Sequence, residues 1–265
     1  MIVTNIPNLS TKVQRYTKSR NDEKRGSFCS IFTISNSLRS AFTLAEILIT
    51  LGIIGVVATM TIPTLMNRTQ DAELKNAMRK QFSELSQAFT SITADNSNEF
   101  VNSLSDCDTA QGTTSGANCL KDVFKDKIQH SKECSGGSSY GNGNCFTDVN
   151  AVKYLNGTTQ STNYFLDPSV RAAFLTPDGS AMAFYLWNSK CKASYFDATR
   201  QNFCGFITVD VNGFKKPNTW GKDIYEFAIY SDKILPFYSG MWIEDDCNAT
   251  SNNGHTCASK YLYGK

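Results

Sequence analysis

Histidine and proline are scarce in this chain: its 265 residues hold two histidines, six prolines and three tryptophans. No phosphate loop, nucleophile elbow or metal-binding pair of side chains occurs, and no C-x-x-C either. His130 and His255 sit in polar segments flanked by cysteines and read as surface residues. These absences leave acid–base, nucleophilic and zinc chemistry without their usual side chains, so the chain is expected not to be an enzyme and to need no cofactor. A strong excess of either charge is missing as well, the formal net charge being +2. That balance gives no global case for nucleic-acid binding.

What is present is one long apolar run. From Phe42 to Met66, 25 residues carry a single ionisable side chain, Glu46. As a helix rising about 1.5 Å per residue, the run would cross a hydrocarbon core of roughly 30 Å. It is longer than a signal-peptide core of about 7 to 15 residues, and no good A-x-A cleavage site follows it. A carboxylate at the centre of a bilayer costs about 2.5 to 3.5 kcal/mol, less near the edge, so Glu46 calls for a partner. Gly52, Gly55 and Pro63 lower the helix propensity of the run, and Pro63 removes a backbone hydrogen bond. Lipid would still enforce helix, and outside lipid the region from Gly55 to Pro63 is expected to loosen.

Ala41 followed by Phe42-Thr43-Leu44-x-Glu46, with Gly55 fourteenth and Pro63 twenty-second counting from Phe42, resembles the N-terminus of type IV pilins and of type II secretion pseudopilins. Ala41 stands where that family usually has Gly, and Ala45 where Leu or Ile is commoner. The resemblance implies that a prepilin peptidase cuts between Ala41 and Phe42 and that the new amine is methylated. It implies a structural subunit stored in the membrane and then assembled into the helical filament of a pilus or secretion pseudopilus. Glu46 would there meet the amine at Phe42 of a neighbouring subunit. The implied partners are other pilin or pseudopilin subunits, the peptidase, an inner-membrane assembly platform, and lipid before assembly. The other reading on the same anchor is a minor tip subunit, an adhesin-like binding module.

Charge placement agrees with a cytoplasmic N-terminus. Residues 1 to 41 carry seven Lys or Arg against two acids, whereas residues 42 to 265 are net −3. By the positive-inside rule, a single-pass protein follows, with its C-terminal part exported, periplasmic or extracellular. The expected organisation is a leader at 1–41, a spanning or filament-core helix at 42–66, its amphipathic continuation at 67–95 and a globular domain at 96–265.

The continuation shows in Leu74, Met78, Phe82, Leu85, Phe89 and Ile92, spaced three or four apart, with Asp71, Lys75, Arg79 and Glu84 off the stripe. One helix from Phe42 to about Ala94 is expected, its second half packed under the domain. Residues 95 to 157 read as loop-rich, with a short helix over Leu120–Ile128. Strands are expected at 172–176 and 180–187, joined by the turn Pro177-Asp178-Gly179, and again at 206–211 and 224–230. A long helix on an antiparallel sheet is an α+β arrangement, and it resembles the pilin fold.

Eight cysteines follow residue 100, and Cys29 lies in the leader. Neighbouring members are separated by 12, 11, 13 and 10 residues, which suggests Cys107 with Cys119, Cys134 with Cys145, Cys191 with Cys204 and Cys247 with Cys257. Eight cysteines allow about 105 connectivities, so spacing alone does not decide. Finally, the loop from Asp210 to Asp223 holds two carboxylates plus Asn212 and Asn218, oxygen ligands of the kind calcium uses. It lacks the EF-hand glycine, having Lys215 at the sixth position, and its Asn-Gly and Pro-Asn pairs read first as turns. No metal is expected.

Overall fold

In a computed structural model, the chain is described over residues 43–107, 112–136, 143–160, 167, 170–192, 201–237, 247–248 and 252–264. The leader and the junction of Ala41 with Phe42 lie outside the described residues. The chain divides into two compact units between Ile53 and Ile54, inside the first helix.

Helix α1 runs from Leu44 to Asp95 without interruption, with Pro63 inside it. In the second unit its buried residues are Leu74, Met78, Leu85, Phe89 and Ile92, the expected stripe, together with Gln81 and Ala88. Phe82, the remaining member, is half-buried and stacks on Phe227 with ring centroids 5.3 Å apart.

The sheet that receives this stripe has six antiparallel strands in chain order. They are β1 (Lys132–Cys134), β2 (Ala172–Leu175), β3 (Ala181–Leu186), β4 (Phe203–Asp210), β5 (Ile224–Tyr230) and β6 (Ile234–Pro236). Opposed residues share a face, so the rows Phe174, Met182, Val209, Tyr225 and Phe184, Ile207, Phe227 present one apolar surface. That surface joins the α1 stripe in a single core. Helix α2 (Thr114–Lys125) completes the cover, Phe124 lying 5.6 Å from Phe184.

The opposite face is also dry. Ala173, Ala181, Ala183 and Ile224 pack with Phe146, Val152 and Trp220. Phe203, Phe206, Ala228 and Tyr230 pack with Phe237. Every residue of β4 and β5 is therefore buried, and neither strand alternates between apolar and polar.

The turn at Pro177-Asp178-Gly179 joins β2 and β3 as expected, with Gly179 at φ +90. β5 matches its expected span, and β4 starts at Phe203, three residues early. The helix expected at Leu120–Ile128 begins at Thr114, because the Thr113 hydroxyl accepts the Gly116 N–H at 3.0 Å and caps it. It ends at Lys125, yet Ile128 beyond it stays buried. Strands β1 and β6, the final helix α3 (Cys257–Tyr263) and two 3-10 turns, Phe100–Leu104 and Val149–Ala151, had no sequence expectation.

Four disulfides join Cys107 to Cys119, Cys134 to Cys145, Cys191 to Cys204 and Cys247 to Cys257. Each closes a short loop, and a loop of that length stabilises by roughly 2 to 4 kcal/mol, mainly through the unfolded chain.

The helix–sheet contact sets the first expected outcome. Leu85→Ala, which empties a fully buried position, should lower the unfolding free energy in urea by about 2 to 5 kcal/mol. Leu48→Ala, at an exposed position, should change it by no more than about 0.5 kcal/mol.

Candidate functional site

In the first unit, the start of α1 is closed by a reciprocal cap. The Thr43 N–H and hydroxyl donate to Glu46 Oε2 at 2.8 and 2.9 Å, and the Glu46 N–H donates to the Thr43 hydroxyl at 3.2 Å. This is the T-x-x-E capping box, which satisfies backbone donors that a helix N-terminus otherwise leaves free. Glu46 thus has partners in its own chain, a role the sequence reading did not assign. Both bonds use Oε2, and Oε1 takes no hydrogen bond among the described residues.

From Leu44 to Met66 the large apolar side chains of α1 are 44% to 79% exposed. The helix is long and apolar enough to cross a membrane, and none of the spanning window is buried. An added Cβ at Gly52 or Gly55 would meet nothing within 4 Å. The backbone stays helical through Gly52, Gly55 and Pro63.

Beyond this run, polar side chains fix α1 to the β2–β3 turn. Gln81 donates to Ser180 Oγ at 2.9 Å and Lys80 donates to Asp178 at 2.5 Å. Partial burial works to raise the Asp178 carboxyl, but bonds from Lys80, Thr176 and Ser180 outweigh it and hold it well below the carboxylate range. Gln81 gave no sequence signal, since hydropathy counts it with the exposed face. Beside it lies an open polar depression of about 490 Å³ lined by Lys80, Glu84, Gln87, Gln129 and Asp178.

The connection from β4 to β5 brings Asp210 and Asp223 together, both fully buried. Asp223 accepts the N–H groups of Asn218 and Thr219 at 2.7 and 2.6 Å. Burial nonetheless pushes its carboxyl up to about 6. Burial, and then the Asp223 charge, raise Asp210 well above the carboxylate range. Among the described residues no three His, Cys, Asp or Glu side chains gather as a metal cluster. The oxygen set here is instead two carboxylates with two amides.

Three further ionisable side chains, Arg171, Glu226 and His255, are buried where sequence gave no warning. Arg171 pairs with Glu226 at 3.0 Å and donates to the Thr208 hydroxyl at 2.8 Å, all inside the sheet face opposite α1. His255 corrects the surface reading of the histidines. It is buried, its ring 4.4 Å from Trp220 and 5.9 Å from Tyr154. His130 is half-buried and meets Glu133 at 3.0 Å.

No family model matches the chain, and no curated protein or solved structure matches it either.

The buried imidazole gives a pH dependence. Burial lowers its pKa from the ordinary 6.5 to about 3. Below pH 6.5 the unfolded chain takes up a proton that the folded chain refuses until about pH 3, so stability falls as pH drops through that window. His255→Gln should flatten this part of the profile relative to the parent, as read from urea midpoints between pH 7 and about pH 4.

Proposed function

We propose that this chain is a structural subunit, a pilin or pseudopilin, held in a membrane by residues 42–66 and assembled by side-by-side packing of that helix into a filament. The observation that supports the reading is the exposed apolar surface of α1 from Leu44 to Met66, unbroken and carrying one carboxylate near its start. A helix that is apolar all round is stable only in lipid or among other helices. Bilayer and filament core are the two settings that satisfy it in turn. The stripe from Leu74 to Ile92 is occupied by the sheet, so the surface left for neighbouring subunits is the N-terminal one.

In this mechanism, cleavage after Ala41 leaves an amine at Phe42, four residues before Glu46. The Thr43 cap holds the carboxylate at the helix start through Oε2, leaving Oε1 for the cation of an adjoining chain. In a core of low dielectric an unpaired carboxylate is costly, so subunits settle at the stagger that supplies a cation to each Glu46.

Intact-mass measurement of membrane-extracted protein should give a chain beginning at methylated Phe42, and a terminus beyond Ala58 would remove the spanning helix and with it this reading.

Two substitutions separate capping from charge pairing. Glu46→Gln keeps a capping-box side chain but loses the charge, whereas Glu46→Ala loses both. If pairing sets assembly, both variants insert and are cleaved as the parent is, while the ratio of sheared to membrane-held protein falls about tenfold or more in each. Assembly of Glu46→Gln at the parental level would reduce Glu46 to a cap.

A further inference from the structure

Exposure of large apolar side chains nearly ceases after Met66. Among the described residues beyond it, only two are exposed, Phe214 at 47% and Tyr263 at 46%. Phe214 begins the exposed tip Phe214-Lys215-Lys216 of the β4–β5 connection, so its ring is followed by two cations. The tip stands on a firm frame. Asn212 Nδ2 donates to the Lys216 carbonyl at 3.2 Å and closes it, and the Thr219 hydroxyl donates to the Pro217 carbonyl at 3.1 Å. Below, the Val211 N–H meets the Asp223 carbonyl at 2.9 Å. Gly213, at φ +64, packs so tightly on the β2–β3 turn that an added Cβ would stand 2.1 Å from the Gly179 carbonyl oxygen.

A single exposed ring is ordinary, and this one is set apart by its place along α1. Tyr225, near the start of β5, lies 6.4 Å from Tyr261, whose ring has Lys75 Nζ above it at 4.4 Å and whose carbonyl accepts from Arg79 at 2.9 Å. Phe227, two residues on, stacks on Phe82. β5 therefore runs the same way as α1, and its first residues face Met66. β3 agrees, since Ser180 just before it bonds Gln81, while Phe184 connects through Phe124 and Phe100 to Phe89. The sheet end that carries the β4–β5 tip is the one nearest the apolar run, and Tyr263 stands two residues from Tyr261 beside it. Arg68, Arg79, Lys215, Lys216 and Lys222 are exposed around this end, against Asp71 and Glu73, while Asp210 and Asp223 lie buried behind the tip. Lys75 is about 14 Å along the helix from Met66, and the interfacial layer of a bilayer fills roughly 5 to 8 Å of that. A helix tilt of about 20° and the length of the side chains at the tip close the remainder.

We propose that the β4–β5 tip is a second membrane contact, in which Phe214 enters the interface of an anionic bilayer while Lys215 and Lys216 pair with lipid phosphates. This contact rests on the membrane reading of residues 42–66 and adds to it a seat for the folded domain. An aromatic ring beside lysines suits that layer, because the ring sits at headgroup depth and each cation near an anionic surface gains affinity. Arg68, two residues past the apolar run, holds the helix at the same level with its apolar stem toward the hydrocarbon. With two points of attachment, the stored chain keeps one orientation on the bilayer, and the tip leaves the lipid when the helix does.

The test uses the full chain with its disulfides intact, reconstituted into vesicles of phosphatidylcholine alone or with about one-third phosphatidylglycerol. Phe214→Trp, at an exposed position, supplies a reporter whose emission is read as the difference from the parent. Lipids brominated near the headgroup end of their chains should quench that added emission in the anionic vesicles and leave it largely unquenched in the neutral ones. Lys215→Gln together with Lys216→Gln in the same background should lower the ratio of docked to undocked tip roughly tenfold or more, and about 1 M salt should act in the same direction. Alkaline extraction reads the anchor separately. A chain that extraction removes from the vesicles fails the membrane reading, and docking with it. A chain that stays inserted with its reporter unquenched overturns docking alone, as does equal quenching in the two lipids. An unquenched reporter whose emission shifts instead with a single-stranded oligonucleotide assigns the patch to nucleic acid and overturns it equally.

Discussion

Burial of one stripe of α1, Leu74 through Ile92, against the apolar rows of the sheet is the constraint from which the rest of the second unit follows. A sheet of six antiparallel strands in chain order needs only short connections, but it leaves two faces to be kept from water. Helices α1 and α2 take one face. The segments carrying Phe146, Val152 and Trp220 take part of the other. Because α1 meets the sheet through one stripe, its remaining surface there stays polar. Before Met66 it is apolar on every side. The same helix thus changes solvent preference along its length with no break in its backbone, and Arg68 and Asp71 mark where the change occurs.

Covering both faces had a cost in polar chemistry, and the chain met it with pairs rather than with apolar replacements. Arg171 and Glu226 lie side by side inside the sheet's second face with Thr208 between them. A pair like this is weak as a source of stability, but removing either member leaves a stranded charge. Gln81 performs the equivalent task on the first face by bonding Ser180 at the hairpin turn. These contacts hold register where apolar packing alone would tolerate sliding.

Whether an element could be read from sequence depended on how regular its burial is. The stripe at 74–92 repeats at helical spacing because one face is buried, and the hairpin shows because Pro177-Asp178-Gly179 fixes its own turn. β1 and β6 are three residues each, too short for any period to register, and they exist through pairing with β2 and β5. The α2 start was hidden because Thr113 caps a turn of Thr, Ser and Gly that reads as loop. Buried Arg171, Glu226 and His255 are invisible to hydropathy, which assigns such residues to water. At the helix start, Glu46 stood out by its apolar surroundings, and the T-x-x-E spacing with Thr43 was equally legible as a cap. The oxygen-bearing residues of the β4–β5 loop could be recognised by type. Which of their atoms take no hydrogen bond among the described residues is a matter of three-dimensional position alone.

The disulfides have a consequence in time. None encloses another, and no cysteine of a later pair lies between the members of an earlier one. For a chain that meets an oxidant N-terminus first, each second cysteine arrives while its partner is the only earlier thiol of the eight still open. Pairing in order of arrival then produces the native set without reshuffling. The connectivity can be written by the direction of synthesis before the sheet exists to enforce it.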